Sequence, residues 1–519
     1  MQMSSKAKAL VRGSFFKGIE FFVRSAVSLM LTPFIIHSLG DKTYGLWVAV
    51  GSFIGYYGLM DFGLDLAINR FISRTVGLES SEETNKVINT ALVIFTIIGF
   101  IALVVSFAAA YIIPQIIKNI TDVETFIKVI LILGVNIAIG FPLRVFSGVL
   151  TSNIRYDLNI IIEFIKLIVR TTLIILFLRH GYGIVALAVI TSILDIGGYI
   201  ARYLIVRHIY KYIVLSKRYV SRAIIKSLFS YSIYVFITKI ANQLRYNVDN
   251  LVIITFIGVS QVTMYSIGSR LIIFFIDFII STIGIILPVF SQYEAVNRND
   301  LLIEKFLLMT KISGYLSILV GGLLIIFGKT FIEIWVGKEY LFSYNILIVL
   351  LASVILNLMQ TPSVQLLYGT SKHKFLTILN IGEGIANLIL SVVLVKYFGI
   401  MGVALGTAVP MIIMSLFILP VYTCRVIKYD IRKYYFEVMF PIVIKSLIIF
   451  VLLWLVFNNF ISANYITLVI LAVPVGFLFA LLAFLVGFSP VERNYFINII
   501  ISLWQKKRKN KLIESIEIS

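Results

Sequence analysis

An all-α membrane protein that crosses the bilayer about fourteen times is the fold class this sequence predicts. Hydrophobic residues fill 60% of 519 positions and charged residues 13%, against about half and a quarter in a soluble globular chain. Mean hydropathy is +1.01. Apolar runs near or above the ~20 residues needed to span a bilayer recur from end to end. Runs such as 347–358 and 466–486 do not alternate, as strands of a membrane barrel would over roughly ten residues.

The first span, about 13–36, follows Lys6, Lys8 and Arg12. It has no small-residue cleavage site and contains Lys17, Glu20 and Arg24, so it is a retained span rather than a signal peptide. Spans at about 43–68, 87–113, 123–149, 159–178 and 184–206 complete a first set of six. A second set follows at about 224–248, 251–288, 306–327, 341–366, 375–396 and 402–424. The long eighth span has first turns that could equally belong to the seventh. Two more spans, 439–457 and 465–487, precede a basic tail. The expected organisation is an N-terminal six-helix lobe (1–212), a C-terminal six-helix lobe (213–436), an additional helix pair (437–489) and the tail (490–519).

The net charge of +20 raises nucleic acid as a partner, but its placement argues for a membrane instead. Lys and Arg cluster in alternate short loops, including Arg70, Arg74, Lys86, Arg155, Arg207, Lys211, Lys217, Arg218, Arg222, Arg298, Lys372, Lys374, Arg425 and Arg432, and in the tail at Lys506–Lys511. This asymmetry predicts both termini on the cytoplasmic side and an even number of spans. The loop 207–222 interleaves Tyr210, Tyr212 and Tyr219 with its cations, which suits either anionic headgroups or plain topological retention. A single cysteine, Cys424, rules out a disulfide framework, and four scattered histidines make no ligand pair at helical spacing. No metal site and no cofactor are expected.

A faint internal echo runs at a constant shift of 218 residues. Gly40 falls on Gly258, Gly181 on Gly399, Val185-Ala186-Leu187 on Val403-Ala404-Leu405, and the turn at Thr151 on that at Gly369. Six spans per copy give both copies the same orientation, which makes a parallel repeat of the kind found in transporters.

Charges deep in a bilayer cost at least ~2.5–3.5 kcal/mol on insertion scales and therefore face protein or water. Here they form stripes. Lys17, Glu20, Arg24 and Ser28 share one face of the first span, and Asn159, Glu163, Lys166 and Arg170 one face of the fifth. Ser227, Tyr231, Tyr234, Thr238, Asn242 and Arg245 line the seventh; Ser266, Arg270, Asp277 and Ser281 line the eighth. Asp61 and Asp65 share a face of the second, and Glu383 with Asn387 lies in the eleventh. Two readings stand side by side. Neighbours such as Glu163 and Lys166 could simply neutralise one another. Alternatively, Arg24, Arg170, Arg270, Lys17, Lys166 and Arg245 make a water-filled cavity cationic enough for an anionic headgroup, arginine presenting a fork suited to phosphate. Deep acids, including Asp195, nearly balance deep bases, so counting alone does not choose. Lys239, off its helix's polar stripe, is read as structural.

The stretch Leu39-Gly40-Asp41-Lys42-Thr43-Tyr44-Gly45-Leu46-Trp47, with Asp61-Phe62-Gly63-Leu64 and Asn69-Arg70-Phe71, resembles the opening of the bacterial polysaccharide transporter family. Asp249-Asn250-Leu251-Val252-Ile253, Gly258, Tyr265, Arg270-Leu271 and Pro288-Val289-Phe290-Ser291 resemble its seventh and eighth spans. That family exports lipid-linked precursors of O-antigen, teichuronic acid and exopolysaccharide, and shares a superfamily with multidrug and toxin extrusion exporters and lipid II flippases. The resemblance implies two six-helix lobes forming a V-shaped central cavity, with Arg24 and Arg270 on spans that carry headgroup arginines in lipid II flippases. It implies a tail groove at the last two spans. The additional cavity arginines of lipid II flippases have no residue-by-residue counterpart here, which argues against lipid II itself.

The implied function is a flippase for polyprenyl-pyrophosphate-linked oligosaccharide in the bacterial cytoplasmic membrane, not an enzyme. Tyr57, Tyr231, Tyr234, Tyr265 and Asn242 would contact sugar, the tyrosines doubling as ordinary membrane-belt residues. No Gly-rich phosphate loop occurs, so ATP is not the engine. A proton or sodium gradient is, with Glu20, Glu163, Asp61, Asp277 and Glu383 as candidate carriers. A polysaccharide polymerase and glycosyltransferases are the expected protein partners, and nucleic acid is not one. The alternatives are a drug or metabolite exporter of the same superfamily and, from another class, a membrane glycosyltransferase or polysaccharide polymerase. Outer loops of no more than about fifteen residues argue against the enzymes.

Overall fold

Gly40 and Gly258 sit 218 residues apart, and both adopt the positive φ (74° and 136°) that ends a right-handed helix. In the computed structural model, which describes residues 5–116, 122–246, 248–457, 464–494 and 497–498, these two breaks set the helix boundaries of two equivalent halves. The first half contains α1 (Ser5–Tyr57, broken at Gly40), α2 (Leu64–Gly77), α3 (Ser81–Ile116), α4 (Val123–Ser152), α5 (Tyr156–Arg179) and α6 (Ile184–Ile209). The second contains α7 (Arg222–Tyr246), α8 (Val248–Phe256), α9 (Val259–Ile283), α10 (Leu287–Ala295), α11 (Asn299–Trp335), α12 (Phe342–Met359), α13 (Thr361–Gly369), α14 (His373–Phe398), α15 (Ile400–Ile413) and α16 (Leu419–Ile427). A short α17 (Ile431–Lys433) leads through a π turn into α18 (Phe440–Phe457), and α19 (Tyr465–Gly487) follows.

Shifting the first half by 218 residues lays α3 on α11, α4 on α12 with α13, α5 on α14, and α6 on α15 with α16, each to within about two residues. The turns correspond as well. Glu79 and Asn297 have φ of 54° and 53°, and Gly181 and Gly399 have 82° and 56°, each pair 218 residues apart. The repeat suggested by a handful of identities is a repeat of the backbone.

Eleven segments among the described residues are long and apolar enough to cross a membrane, or twelve with the bent α7. The predicted fourteen fits this count. Residues Phe22–Asp61 count as one segment although Gly40 divides them, and α5 is excluded by its own charges rather than by its length. Two of the predicted spans are broken. The second, 43–68, is interrupted by a 3-10 turn (Gly58–Asp61) and by left-handed Phe62 and Gly63 (φ 50° and 75°). Two successive left-handed residues cannot continue the helix, and Asp61 Oδ1 caps the break by accepting from the Gly63 N–H at 2.8 Å. The eighth is divided at Gly258, so that Val248–Phe256 extends the seventh.

By internal contacts the chain forms two units, Met1–Ile267 with Thr377–Thr407, and Gly268–Leu376 with Ala408–Ser519. The first is built on close helix approach at small residues, as in other membrane bundles. A Cβ on Gly99 of α3 would lie 2.4 Å from the Ala138 carbonyl of α4, and one on Gly134 would strike Ser106. Its apolar core gathers Leu64, Ile68, Phe95, Phe141, Phe146 and Val149, with Ile213 and Leu228 sealing one side. The second unit centres on Phe290, Phe306, Met359, Tyr434 and Phe479. In α19, Tyr465, Ile466, Val469, Ile470, Val473 and Phe477 are exposed at helical spacing, a face suited to lipid. Past its end, Glu492 accepts from Lys311 Nζ at 2.8 and 3.1 Å. Burial pushes this carboxyl up, but the Lys311 and Ser489 contacts together outweigh it and hold it below the usual range.

Gly63 is the most constrained of these turns. Besides its positive φ, a Cβ there would come within 2.7 Å of the Ser232 carbonyl and 2.8 Å of the Phe236 nitrogen on α7. Gly63→Ala is expected to destabilise the protein by roughly 2–4 kcal/mol, combining left-handed strain with overpacking. The check is thermal unfolding in detergent, with Gly51→Ala, where a Cβ meets nothing within 4 Å, as the control that holds its midpoint.

Candidate functional site

The polar stripe of α5 finds its partners on α6. Lys166 Nζ lies 3.2 Å from Glu163 and 2.8 Å from Asp195. Arg170 Nη2 reaches the same Asp195 oxygen at 2.7 Å, and Arg202 Nη2 reaches Glu163 at 2.5 Å. The result is an alternating chain, Arg170–Asp195–Lys166–Glu163–Arg202, running along two packed helices. Neutral groups extend it. Asn159 Oδ1 accepts from Arg202 Nε at 2.9 Å, and Asn136 Nδ2 of α4 donates to Asp195 at 3.3 Å. Gly198 makes the crossing possible, since a Cβ there would meet the Lys166 Cδ at 2.8 Å. Arg202 is 5% exposed and Arg170 32%, so the chain runs from a sealed end to an open one. The buried Arg170 Nε–H has no hydrogen-bond partner.

A second pair lies at the break after α1. Asp61, buried, takes Lys239 of α7 at 2.5 Å, so the lysine read as structural neutralises a predicted ion carrier. Asp65 lies one turn further on, within reach of Asp61 and Arg144. Asp65, Asn69, Arg144 and Ser147 line a polar cavity of about 210 Å³ bounded by α2, α3 and α4.

A third cluster is of a different kind. Asp249, at the start of α8, is 5% exposed, and its hydrogen-bond partners are all neutral. Tyr265 Oη and Thr407 Oγ1 (2.8 Å) donate to one carboxylate oxygen, and Asn387 Nδ2 (3.4 Å) to the other. Asn387 Oδ1 accepts in turn from Ser391 at 2.8 Å. Glu383, also buried, stands one turn before Asn387 on α14. All these residues belong to the first unit.

Of the other residues singled out from sequence, Arg24 is exposed and Glu20 half-buried on α1, while Tyr57 is buried. Arg270 and Asp277 are half-buried, two turns apart on α9, in the second unit. Lys17, Tyr231, Tyr234, Asn242 and Arg245 lie outside the residues whose side chains the structure describes, as does the tail cluster Lys506–Lys511. Sequence reasoning missed Arg202 entirely and took Asp249 only as part of a motif. Asp195, Gly198 and Arg202 recur at i, i+3 and i+7 on α6, the one local signal that could have exposed that face. Among the described residues no group of three or more His, Cys, Asp or Glu is arranged to hold a metal.

Comparison with known proteins places this geometry in context. Residues 43–345 match the model of a family described as polysaccharide biosynthesis protein. A relative named "Putative O-antigen transporter" from Shigella flexneri is 22% identical over 432 residues, covering 80% of this chain and 98% of its own. Among solved structures, the lipid II flippase MurJ in an inward closed conformation superposes with a TM-score of 0.71 at 18% identity, covering 90% of this chain and 98% of that one. An inward-facing multidrug resistance MATE family transporter superposes with a TM-score of 0.65 at 15% identity, covering 80% and 95%. At such identities the structures establish the shared fold. The family match covers more than half of the chain, and the protein belongs to the polysaccharide biosynthesis protein family.

Proposed function

We propose that this protein is a flippase that carries polyprenyl-pyrophosphate-linked oligosaccharide across the bacterial cytoplasmic membrane by alternating access, driven by a proton or sodium gradient. The observation that carries this reading is the charge chain of α5 and α6, three cations against two anions within membrane-embedded helices. A surplus cation in a low-dielectric setting is costly unless an anion joins it. The open end, the partly exposed Arg170 guanidinium, is where a pyrophosphate supplies the missing negative charge. Arg24 on α1, which packs against α5, adds a second guanidinium; the further headgroup cations proposed from the sequence are Lys17, Arg245 and Arg270. Tyr57, Tyr231, Tyr234 and Asn242 serve the sugars. The isoprenoid tail stays in lipid, while the headgroup needs a polar path because unsatisfied polar groups in hydrocarbon cost several kcal/mol each, roughly 2–7. Family membership and the relative named as an O-antigen transporter support the substrate class. Both termini face the cytoplasm, and a polysaccharide polymerase and glycosyltransferases are the proposed protein partners.

Ion coupling is assigned to the Asp249 cluster. Glu163 and Asp61, candidates from sequence, are engaged by Arg202, Lys166 and Lys239, so releasing either for a proton or sodium ion would strand a cation. Asp249 has only neutral partners, and with Glu383, Asn387 and Thr407 it offers oxygen ligands of the type a hard cation takes. Glu20 and Asp277 remain secondary candidates. The rival reading, export of cationic drugs, rests on the fold shared with the multidrug transporter.

Two outcomes are expected. In proteoliposomes, wild type moves a fluorescent polyprenyl-pyrophosphate oligosaccharide, while Arg170→Ala and Arg24→Ala each slow it about 10–100-fold, the loss of one charge-assisted contact of ~1.5–3 kcal/mol. Export of a cationic dye without movement of the lipid-linked probe would instead establish the drug exporter. In the same vesicles an imposed proton or sodium gradient accelerates wild type, and Asp249→Asn abolishes that response. Insensitivity of wild type to both gradients would refute coupling.

A further inference from the structure

The segment joining α6 to α7 is held down rather than left loose. Asn85 and Asn89, one turn apart on α3 and 3% and 5% exposed, act as a surrogate strand edge. Asn85 Nδ2 donates to the Tyr212 carbonyl at 2.9 Å and its Oδ1 accepts from the Val214 N–H at 2.8 Å. Asn89 repeats the pattern one step on, donating to the Val214 carbonyl and accepting from the Ser216 N–H, both at 2.8 Å. Thr90 takes the Ser221 N–H at 3.0 Å, and Arg207 donates to the Ile213 carbonyl at 2.8 Å. Ile213 is fully buried in the apolar core of the first unit. With alternate residues pointing opposite ways in extended backbone, the strap shows its other side outward. There Tyr212 and Val214 are 37% and 46% exposed; Leu215, on the parity of Ile213, is also 40% exposed, and Lys211, Lys217, Arg218 and Arg222 are exposed.

Topological retention needs only the cations. It explains neither the outward apolar side chains nor the six hydrogen bonds that hold them in place. We propose that this strap is a preformed binding surface for anionic phospholipid headgroups, with Lys211, Lys217, Arg218 and Arg222 meeting phosphate and Tyr212, Val214 and Leu215 entering the interfacial layer. Fixed geometry lowers the ordering cost of binding, and basic residues interleaved with apolar ones are the composition of an interfacial anchor. The acids of the adjoining α3 turn do not cancel the patch. Glu82, within electrostatic reach of Arg218, pairs with Lys86 at 2.9 Å, and Glu83 pairs with the same lysine at 2.8 Å.

The test is lipid retention by the purified full-length protein in detergent, read by native mass spectrometry during titration with phosphatidylglycerol or phosphatidylcholine. Wild type is expected to bind the anionic lipid at least tenfold more tightly. Combined Lys211→Gln, Lys217→Gln and Arg218→Gln should cut that preference to within about threefold, with an unchanged thermal midpoint because all three side chains are exposed. An equal charge change elsewhere, Lys372→Gln with Lys374→Gln and Arg432→Gln, should leave the preference within twofold of wild type. No preference in wild type, or equal losses in the two triple variants, overturns the proposal. Loss of binding to a soluble acidic polypeptide, with lipid preference intact, also overturns it and assigns the strap to an acidic protein.

Discussion

A polar group in hydrocarbon must find its partner within the protein, and most of the chemistry in this molecule follows from that constraint. The α5–α6 chain satisfies it almost completely. Each anion bridges two cations, the one inner cation, Lys166, bridges two anions, and Asn136 of α4 and Asn159 of α5 take up remaining capacity. Breaking such a network from one side strands a buried charge, typically costing about 3–5 kcal/mol. Its members therefore hold α5 and α6 together as well as carrying charge. A residue can be structural and poised for substrate at once when the network ends, as this one does, on a partly exposed guanidinium.

The three polar clusters of the first unit differ in what they permit. Asp61 with Lys239 is a closed pair that also caps a helix break, suited to fixing a turn. The α5–α6 chain carries a surplus positive charge. Asp249 sits among hydroxyls and amides, and its own charge is opposed by dipoles alone. Such an environment tolerates a change in occupancy at the carboxylate far better than an ion pair does, because no opposite charge is left behind.

Much of this was legible in the sequence. Hydropathy located the long membrane helices, though α10 fell outside the predicted spans, and the constant 218-residue register, read from glycines and one tripeptide, reappears in the φ angles of Gly40, Gly258, Gly181 and Gly399. Local pairing was visible too, Glu163 with Lys166 standing at i, i+3. What stayed hidden depends on which helices become neighbours. Arg202 is 39 residues from Glu163, Lys239 is 178 from Asp61, and Asn387 is 138 from Asp249. No one-helix periodicity carries those distances. The break at Phe62–Gly63 was hidden for another reason, since apolar residues continue across it and hydropathy does not register a change of φ.

The length of α3 has a mechanical consequence. Its 36 residues extend about 54 Å at 1.5 Å per residue, whereas the hydrocarbon core is about 30 Å thick. Several turns must therefore project beyond the oil, and Asn85 and Asn89 lie within the first three turns of the helix. The repeat gives α11 a matching overhang of 37 residues in total length. Any tilt of α3 within the bilayer is thus transmitted to the strap as the swing of a rigid lever whose fulcrum is the membrane surface.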